Sequence, residues 1–227
     1  MFAASSLTEG FTALAQAFEA AHPEERVALQ FAGSQSLRLQ IEQGAPADVF
    51  ASANEAHVRE LVRDGTVVAP VAFATNRLAI VVPADNPAGV KTFDDLASAQ
   101  RIVVGTEQAP IGAYTRAMLR NAEPRLGASR AAMVKRHIVS EEPNARLVRA
   151  KVELGEADAA IVYETDARSA KRARTIDIPD DINVEATYFV GAVAGAERRK
   201  GVESWIHFVR SEQGREVLQR HGFRGSE

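Results

Sequence analysis

The most constraining stretch of the chain is residues 31–53, where a strand, a turn, a helix and a second strand follow one another within a few turns of chain. An extended segment from Val27 to Phe31 runs into Gly33 and Ser34. A short helix then carries Leu37 and Ile41 on one face, and Gly44 to Pro46 breaks it before the apolar run Val49 to Ala51. In such a unit the turn lies at the carboxyl end of a parallel strand, where open α/β sheets place their ligands. Here the turn offers Ser34, Gln35 and Ser36 together with the backbone N–H groups of a helix start, a combination suited to an anion. Taken alone, Ser34 reads first as an ordinary N-cap, because serine is among the preferred capping residues.

The same pattern recurs. Residues 2 to 4 end a strand, Ser5-Ser6 turn, and a helix from Leu7 to Ala21 places Leu7, Phe11, Leu14, Ala15 and Phe18 at helical spacing. A helix over about 54–64 stops at Gly65, residues 66–76 read as irregular, and Leu78 to Val82 form a buried-strand run closed by Pro83. Thr92 to Leu96 reads as a capped helical turn and Arg101 to Val104 as a strand, followed by the loop Gly105 to Gly112 and a helix over 113–121. Val134 to Val139 reads as a strand, Asn144 to Leu154 as a helix, Ala159 to Val162 as a strand ending at Tyr163, and 166–173 as helical. Alternating strands and helices predict a parallel α/β architecture.

The last third changes character, with a longer extended segment from Glu185 to Val193 and a helix carrying Val202, Trp205, Ile206 and Val209. Two extended crossings, near Leu78 and near Tyr188, divide the chain into an outer part holding both termini and an inner part. The expected layout is α/β with two Rossmann-like lobes, 1–77 plus 188–227 and 78–187, joined by a two-strand hinge with the ligand cleft between them.

Composition narrows the function classes. The chain of 227 residues has room for two lobes of roughly 100 residues each. Its hydrophobic fraction of 46% and charged fraction of 25% are those of a water-soluble globular protein. With 30 acidic against 27 Lys and Arg residues, no basic patch marks a nucleic-acid footprint, and the basic run Arg168 to Arg174 reads as a solvated helix face. No apolar run approaches the ~18 residues of a membrane span. The absence of cysteine excludes disulfides, thiolate metal sites and cysteine nucleophiles. Met1 stands directly before the apolar strand end Phe2-Ala3-Ala4, which leads to the expectation that an export signal has been removed upstream.

Six motifs then converge. They are Phe2-Ala-Ala-Ser-Ser-Leu7; Phe31-Ala-Gly-Ser34 with Leu37 and Gln40-Ile41; Gly44-Ala-Pro-Ala-Asp48 with Phe50 and Ser52-Ala53; Pro110-Ile-Gly-Ala-Tyr114; Gly155 through Tyr163 with Asp166-Ala167; and Gly222-Phe223. In this order and spacing the chain resembles the molybdate-binding proteins of bacterial ABC importers, within the type II periplasmic solute-binding proteins. The resemblance implies a tetrahedral oxyanion, molybdate and tungstate before others, held by neutral donors: Ser6 and Ser34 from the outer lobe, Ile111, Ala145 and Tyr163 from the inner one. Ile111 and Ala145 would act through their backbone N–H groups. The resemblance also implies a periplasmic or extracytoplasmic monomer that delivers its anion to a membrane permease, with no cofactor, no free metal cation, no nucleic-acid partner and no catalysis. Gly33 stands where relatives often carry a second serine, and Ile111 where some carry alanine; neither change removes a donor.

The residues support the same reading without the resemblance. Ser6, Ser34, Ile111 and Ala145 all fall at predicted helix starts, where unpaired N–H groups and the positive end of the dipole converge, and Tyr163 can donate its hydroxyl. Three rivals stand beside it. An enzyme would need a partner for Ser5 or Ser34, yet the five histidines are scattered, and Asp48 and Glu142 read as structural acids. An anion-sensing regulatory domain uses the same bilobed fold and would need a DNA-reading segment upstream of residue 1. A transport protein for sulfate or another oxyanion uses the same donors and differs only in the size of its cavity.

Overall fold

The structure is a computed structural model that describes residues 1–197 and 199–226. In chain order, β1 (Phe2–Ala4) leads through a 3-10 turn (Ser5–Leu7) into α1 (Thr8–Ala21). Next come β2 (Gln30–Ala32), α2 (Ser34–Glu42), β3 (Val49–Ser52), α3 (Glu55–Arg63) and the long β4 (Val67–Pro83). After a 3-10 turn (Phe93–Ser98) follow β5 (Ile102–Gly105), α4 (Pro110–Arg136), β6 (Ile138–Glu142), α5 (Ala145–Glu153), β7 (Ala159–Tyr163), α6 (Glu164–Ser169) and β8 (Ala173–Asp177). The chain closes with β9 (Glu185–Val193), α7 (Lys200–Arg210), α8 (Glu212–Arg220) and β10 (Arg224–Gly225).

The chain forms two compact units, Met1–Asn76 with Ala186–Glu227, and Arg77–Glu185. It passes from one to the other within β4, between Asn76 and Arg77, and again at the start of β9, between Glu185 and Ala186, one and two residues before the breaks expected at 77/78 and 187/188. In the first unit the strands run β2-β1-β3-β9-β4. β1 is parallel to both β2 and β3, with Ala4 opposite Ala32 and Ala3 opposite Ala51, so the carboxyl ends of these three strands lie side by side. β9 pairs antiparallel with β3, and β10 antiparallel with β4. Phe2, Leu37, Ile41, Phe50, Val58, Leu61 and Val67 form one buried cluster. On the other side Trp205 stands edge-on to Phe11 and Phe18, at ring distances of 5.8 and 5.3 Å. These contacts explain why the apolar spacing in α1 and α7 is helical.

In the second unit β5 is parallel to β6 and to β7, while β7 and β8 flank β4 in antiparallel pairing. The parallel trio β7-β5-β6 again sets three carboxyl ends along one sheet edge. Its core includes Val81, Val103, Val148, Val152, Ala160 and Val162. Asp158 fastens the starts of β5 and β7 together. Its carboxylate accepts the backbone N–H groups of Gln100 and Arg101 at 3.0 and 2.9 Å and the Arg101 guanidinium at 2.7 Å.

Three expectations are corrected. Of residues 66–76, expected to be irregular, 67–76 are the first part of β4. Ala69 at φ 46° and Pro70, which has no N–H, interrupt the regular alternation by which a strand is read. Val134 to Arg136 belong to α4, not to a strand; that helix is broken at Gly127, whose φ 74° and ψ 157° suit glycine, and its second segment buries Ala131 and Val134. The run Arg168 to Arg174 is no helix face, because α6 stops at Ser169 and β8 begins at Ala173. β8 is an exposed edge strand, a setting in which charged side chains guard against further pairing. Among the described residues no helix is long and apolar enough to cross a membrane.

Candidate functional site

In the first unit the turns after β1, β2 and β3 converge because the strands are adjacent and parallel. Ser6 lies in the 3-10 turn that follows β1, and it is buried. Ser34 is the first residue of α2 and only 1% exposed. The sequence left open that its side chain caps this helix, and the structure corrects that: the N-cap is Gly33, with no side-chain cap bond. The Ser34 hydroxyl oxygen instead accepts the N–H of Ala53, just beyond β3, at 3.1 Å. The N–H groups of Ser36 and Leu37 turn back to the Gly33 carbonyl. That leaves the Ser34 amide at the head of the helix with no acceptor inside it.

Ser6 is held from behind. Its hydroxyl lies 2.9 Å from the Tyr188 hydroxyl on β9, and Asn76 Nδ2 on β4 donates to that same phenol oxygen at 3.4 Å. Asn76 and Tyr188 are both fully buried, and sequence reasoning gave neither a role.

In the second unit Ile111, Ala145 and Tyr163 fall at the carboxyl ends of β5, β6 and β7. Pro110 occupies the first position of α4 and has no N–H, so Ile111 carries the first amide of that helix. The helix start sits unusually close to β5: a Cβ on Gly112 would come within 2.0 Å of the Thr106 carbonyl oxygen and 2.3 Å of the Gly105 one. Glycine at 112 is therefore a condition for where the Ile111 amide sits. Ala145 heads α5. The capping side chain of Asn144 accepts from Leu147 N at 3.1 Å, so the cap uses the third amide and not that of Ala145. Tyr163 ends β7, buried, with its ring 6.5 Å from that of Tyr114.

The structure thus brings Ser6 and Ser34 to one sheet edge of the first unit, and Ile111, Ala145 and Tyr163 to one sheet edge of the second. None of the five side chains is a charged group. The arrangement offers hydroxyl and amide protons and helix N-termini, which suits an anion that is already fully ionised. The two acids weighed as a pair have partners of their own: Asp48 pairs with Arg199, and Glu142 accepts from Ser140 Oγ at 2.8 Å. A cavity of about 300 Å³ in the first unit, lined by residues including Phe18, Glu25, Asp48 and Trp205, contains none of the five.

Residues 1–224 match the family described as bacterial extracellular solute-binding protein. The chain is 34% identical over 226 residues to the molybdate-binding protein ModA of Mycobacterium tuberculosis H37Rv, covering 98% of this chain and 83% of that one. Among solved structures, the periplasmic molybdate-binding protein of Azotobacter vinelandii superimposes with a TM-score of 0.85 at 18% identity, covering 100% of this chain and 98% of that one. The sulfate-binding protein SubI of Mycobacterium tuberculosis H37Rv does so with a TM-score of 0.83 at 19% identity, covering 100% and 86%. At these identities the two structures speak for the fold alone, and the fold is that of the type II periplasmic binding proteins expected from the sequence.

Proposed function

The chain belongs to the bacterial extracellular solute-binding proteins, and from that premise we propose that it captures a tetrahedral oxyanion, molybdate with tungstate beside it, outside the cytoplasm and delivers it to the permease of an ABC importer. This is a binding and transport role, in keeping with a family of solute-binding proteins rather than enzymes. The supporting observation is the chemistry of the five candidate residues. Ser6 and Ser34 in one unit, and Ile111, Ala145 and Tyr163 in the other, present hydroxyl or amide protons at the carboxyl ends of parallel strands, and none brings a charge. We assign the ligand to these five residues. The 34% identity to a molybdate-binding protein along 98% of the chain points to the same ligand class.

The donor set also carries selectivity. A fully ionised dianion has only acceptors to offer and matches a site made of donors. Monohydrogen phosphate brings a proton that needs an acceptor, and a buried polar group left unpaired costs ~1–3 kcal/mol. Molybdate and tungstate are therefore bound in preference to phosphate. Sulfate is equally ionised, so cavity size alone separates it from molybdate.

Thermal unfolding of the chain with molybdate, tungstate, sulfate and phosphate in parallel tests this reading. Ligand at ~100 times its dissociation constant stabilises by ~2.7 kcal/mol, which raises the midpoint clearly. The expected result is a rise with molybdate and tungstate and none with phosphate at the same concentration. A rise with sulfate alone moves the assignment to a sulfate carrier, and no rise with any of the four removes the oxyanion role.

A further inference from the structure

Ser6 Oγ and Tyr188 Oη are 2.9 Å apart, and distance alone lets either be the donor. Asn76 Nδ2 lies 3.4 Å from the same Oη. An amide nitrogen has only protons to offer, so the phenol oxygen accepts there and keeps its single proton for another partner. We propose that Tyr188 donates that proton to Ser6 Oγ, which turns the Ser6 hydroxyl proton away from the protein interior and toward the anion. Tyr188 and Asn76 are then positioning residues that make Ser6 a donor. This proposal rests on the oxyanion reading above and adds to it the device that sets the polarity of the first unit.

Two features of the same unit support the assignment. Ser34 is set by an equivalent arrangement whose direction is fixed: a backbone N–H can only donate, so at 3.1 Å from Ala53 N the Ser34 oxygen accepts and its own proton points elsewhere. Donation from Tyr188 to Ser6 gives both serines the same polarity. The Tyr188 ring is also held in place, edge-on to Phe223 at 5.4 Å and beside Phe73 at 6.2 Å, so its hydroxyl is carried by a fully buried, packed aromatic side chain. Asn76, Tyr188 and Ser6 come from β4, β9 and the turn after β1, three segments far apart in the chain.

The functional consequence is specificity. With Tyr188 donating to its oxygen, Ser6 favours an anion with no proton of its own. Without the Tyr188 hydroxyl, Ser6 is free to rotate and accept, and it then tolerates the proton of monohydrogen phosphate. The opposite hydrogen-bond direction, Ser6 donating to Tyr188, predicts the reverse: removing the phenol hydroxyl would release the serine proton for the anion and tighten molybdate binding.

Calorimetric titration of the full chain with molybdate, and competition by phosphate at a pH where it is the monohydrogen dianion, separates these cases. Ser6→Ala loses a hydrogen bond to a charged ligand and weakens molybdate binding about ten- to a hundredfold. Tyr188→Phe loses the neutral bond that orients it and weakens molybdate about two- to tenfold, with a smaller molybdate-to-phosphate affinity ratio than the wild type. The double variant binds no more weakly than Ser6→Ala, because Tyr188 acts through Ser6. Unchanged or tighter molybdate binding in Tyr188→Phe, an unchanged ratio, or losses that multiply in the double variant would each overturn the proposal. Should Tyr188→Phe fail to fold, Asn76→Ala is read for the same loss of affinity and the same fall in ratio, and wild-type behaviour there overturns it too. A wild-type chain that binds none of the oxyanions removes the underlying reading as well, whereas wild-type binding with an indifferent Tyr188→Phe removes this proposal alone.

Discussion

Ser34→Ala separates the buried hydrogen bond of one hydroxyl from its proposed contact with the anion, and both are expected to be lost. Ser34 is 1% exposed and its oxygen accepts the N–H of Ala53 at 3.1 Å in a buried setting. Truncation to alanine removes that acceptor and leaves the Ala53 amide buried without it, a change that costs ~1–3 kcal/mol. At ~2–4 °C per kcal/mol for a chain of this size, the unliganded midpoint should fall by several degrees. Separately, under the proposed function the Ser34 hydroxyl no longer donates to the anion. A hydrogen bond to a charged group is worth ~1.5–3 kcal/mol, so molybdate affinity should drop about ten- to a hundredfold. Calorimetric unfolding without ligand reads the first effect, and isothermal titration with molybdate the second. An unchanged unliganded midpoint would refute the contribution of the Ser34–Ala53 bond. Unchanged affinity would return Ser34 to a purely structural role.

Two further substitutions probe the second unit. Burial alone would raise the Asp158 carboxyl, but the Arg101 side chain and the backbone N–H groups of Arg101 and Gln100 outweigh it and hold the group below its ordinary value. Its stabilisation is therefore present above the ~3.9 of an unfolded aspartate and is lost as pH falls through the lower folded value. Asp158→Asn should destabilise by ~1.5–3 kcal/mol at neutral pH, and the deficit should shrink in acid; a deficit that is the same at neutral and acid pH in urea unfolding contradicts this. Gly112→Ala places a methyl group 2.0 Å from the Thr106 carbonyl oxygen. It should cost at least ~1–3 kcal/mol and displace the Ile111 amide, so both the midpoint and the molybdate affinity fall; a variant with wild-type values for both contradicts the close approach.

Much of this was legible in the sequence because it is local. Gly33-Ser34 and Ser5-Ser6 follow short apolar strands and precede periodic helices, and Asn144 marks a helix start by its capping chemistry, whereas α4 begins at Pro110, three residues before the start expected from the sequence. The signal failed where structure depends on distant partners. Asn76 lies in a stretch whose alternation is broken by Ala69 and Pro70, and its bond to Tyr188 spans 112 positions of chain, so neither residue announces itself. The basic run from Arg168 looked helical on charge alone, whereas pairing with β4 draws residues 173–177 into a strand. Likewise Val134 suits a strand by propensity and is helical because it packs on the buried face of α4 beyond the break at Gly127. Ser34 illustrates both sides: its place at the helix start was readable, but the Ala53 amide that engages its oxygen was not.

The central claim, that neutral donors in both units hold one fully ionised tetrahedral oxyanion, is met most directly by isothermal titration of the chain with molybdate, repeated in the presence of excess monohydrogen phosphate. The account predicts one molybdate per chain, displaced by tungstate and unaffected by phosphate, and the same titration weakened by Ser34→Ala from one unit and by Tyr163→Phe from the other. Binding that phosphate abolishes, or that only one of those two substitutions weakens, would contradict it.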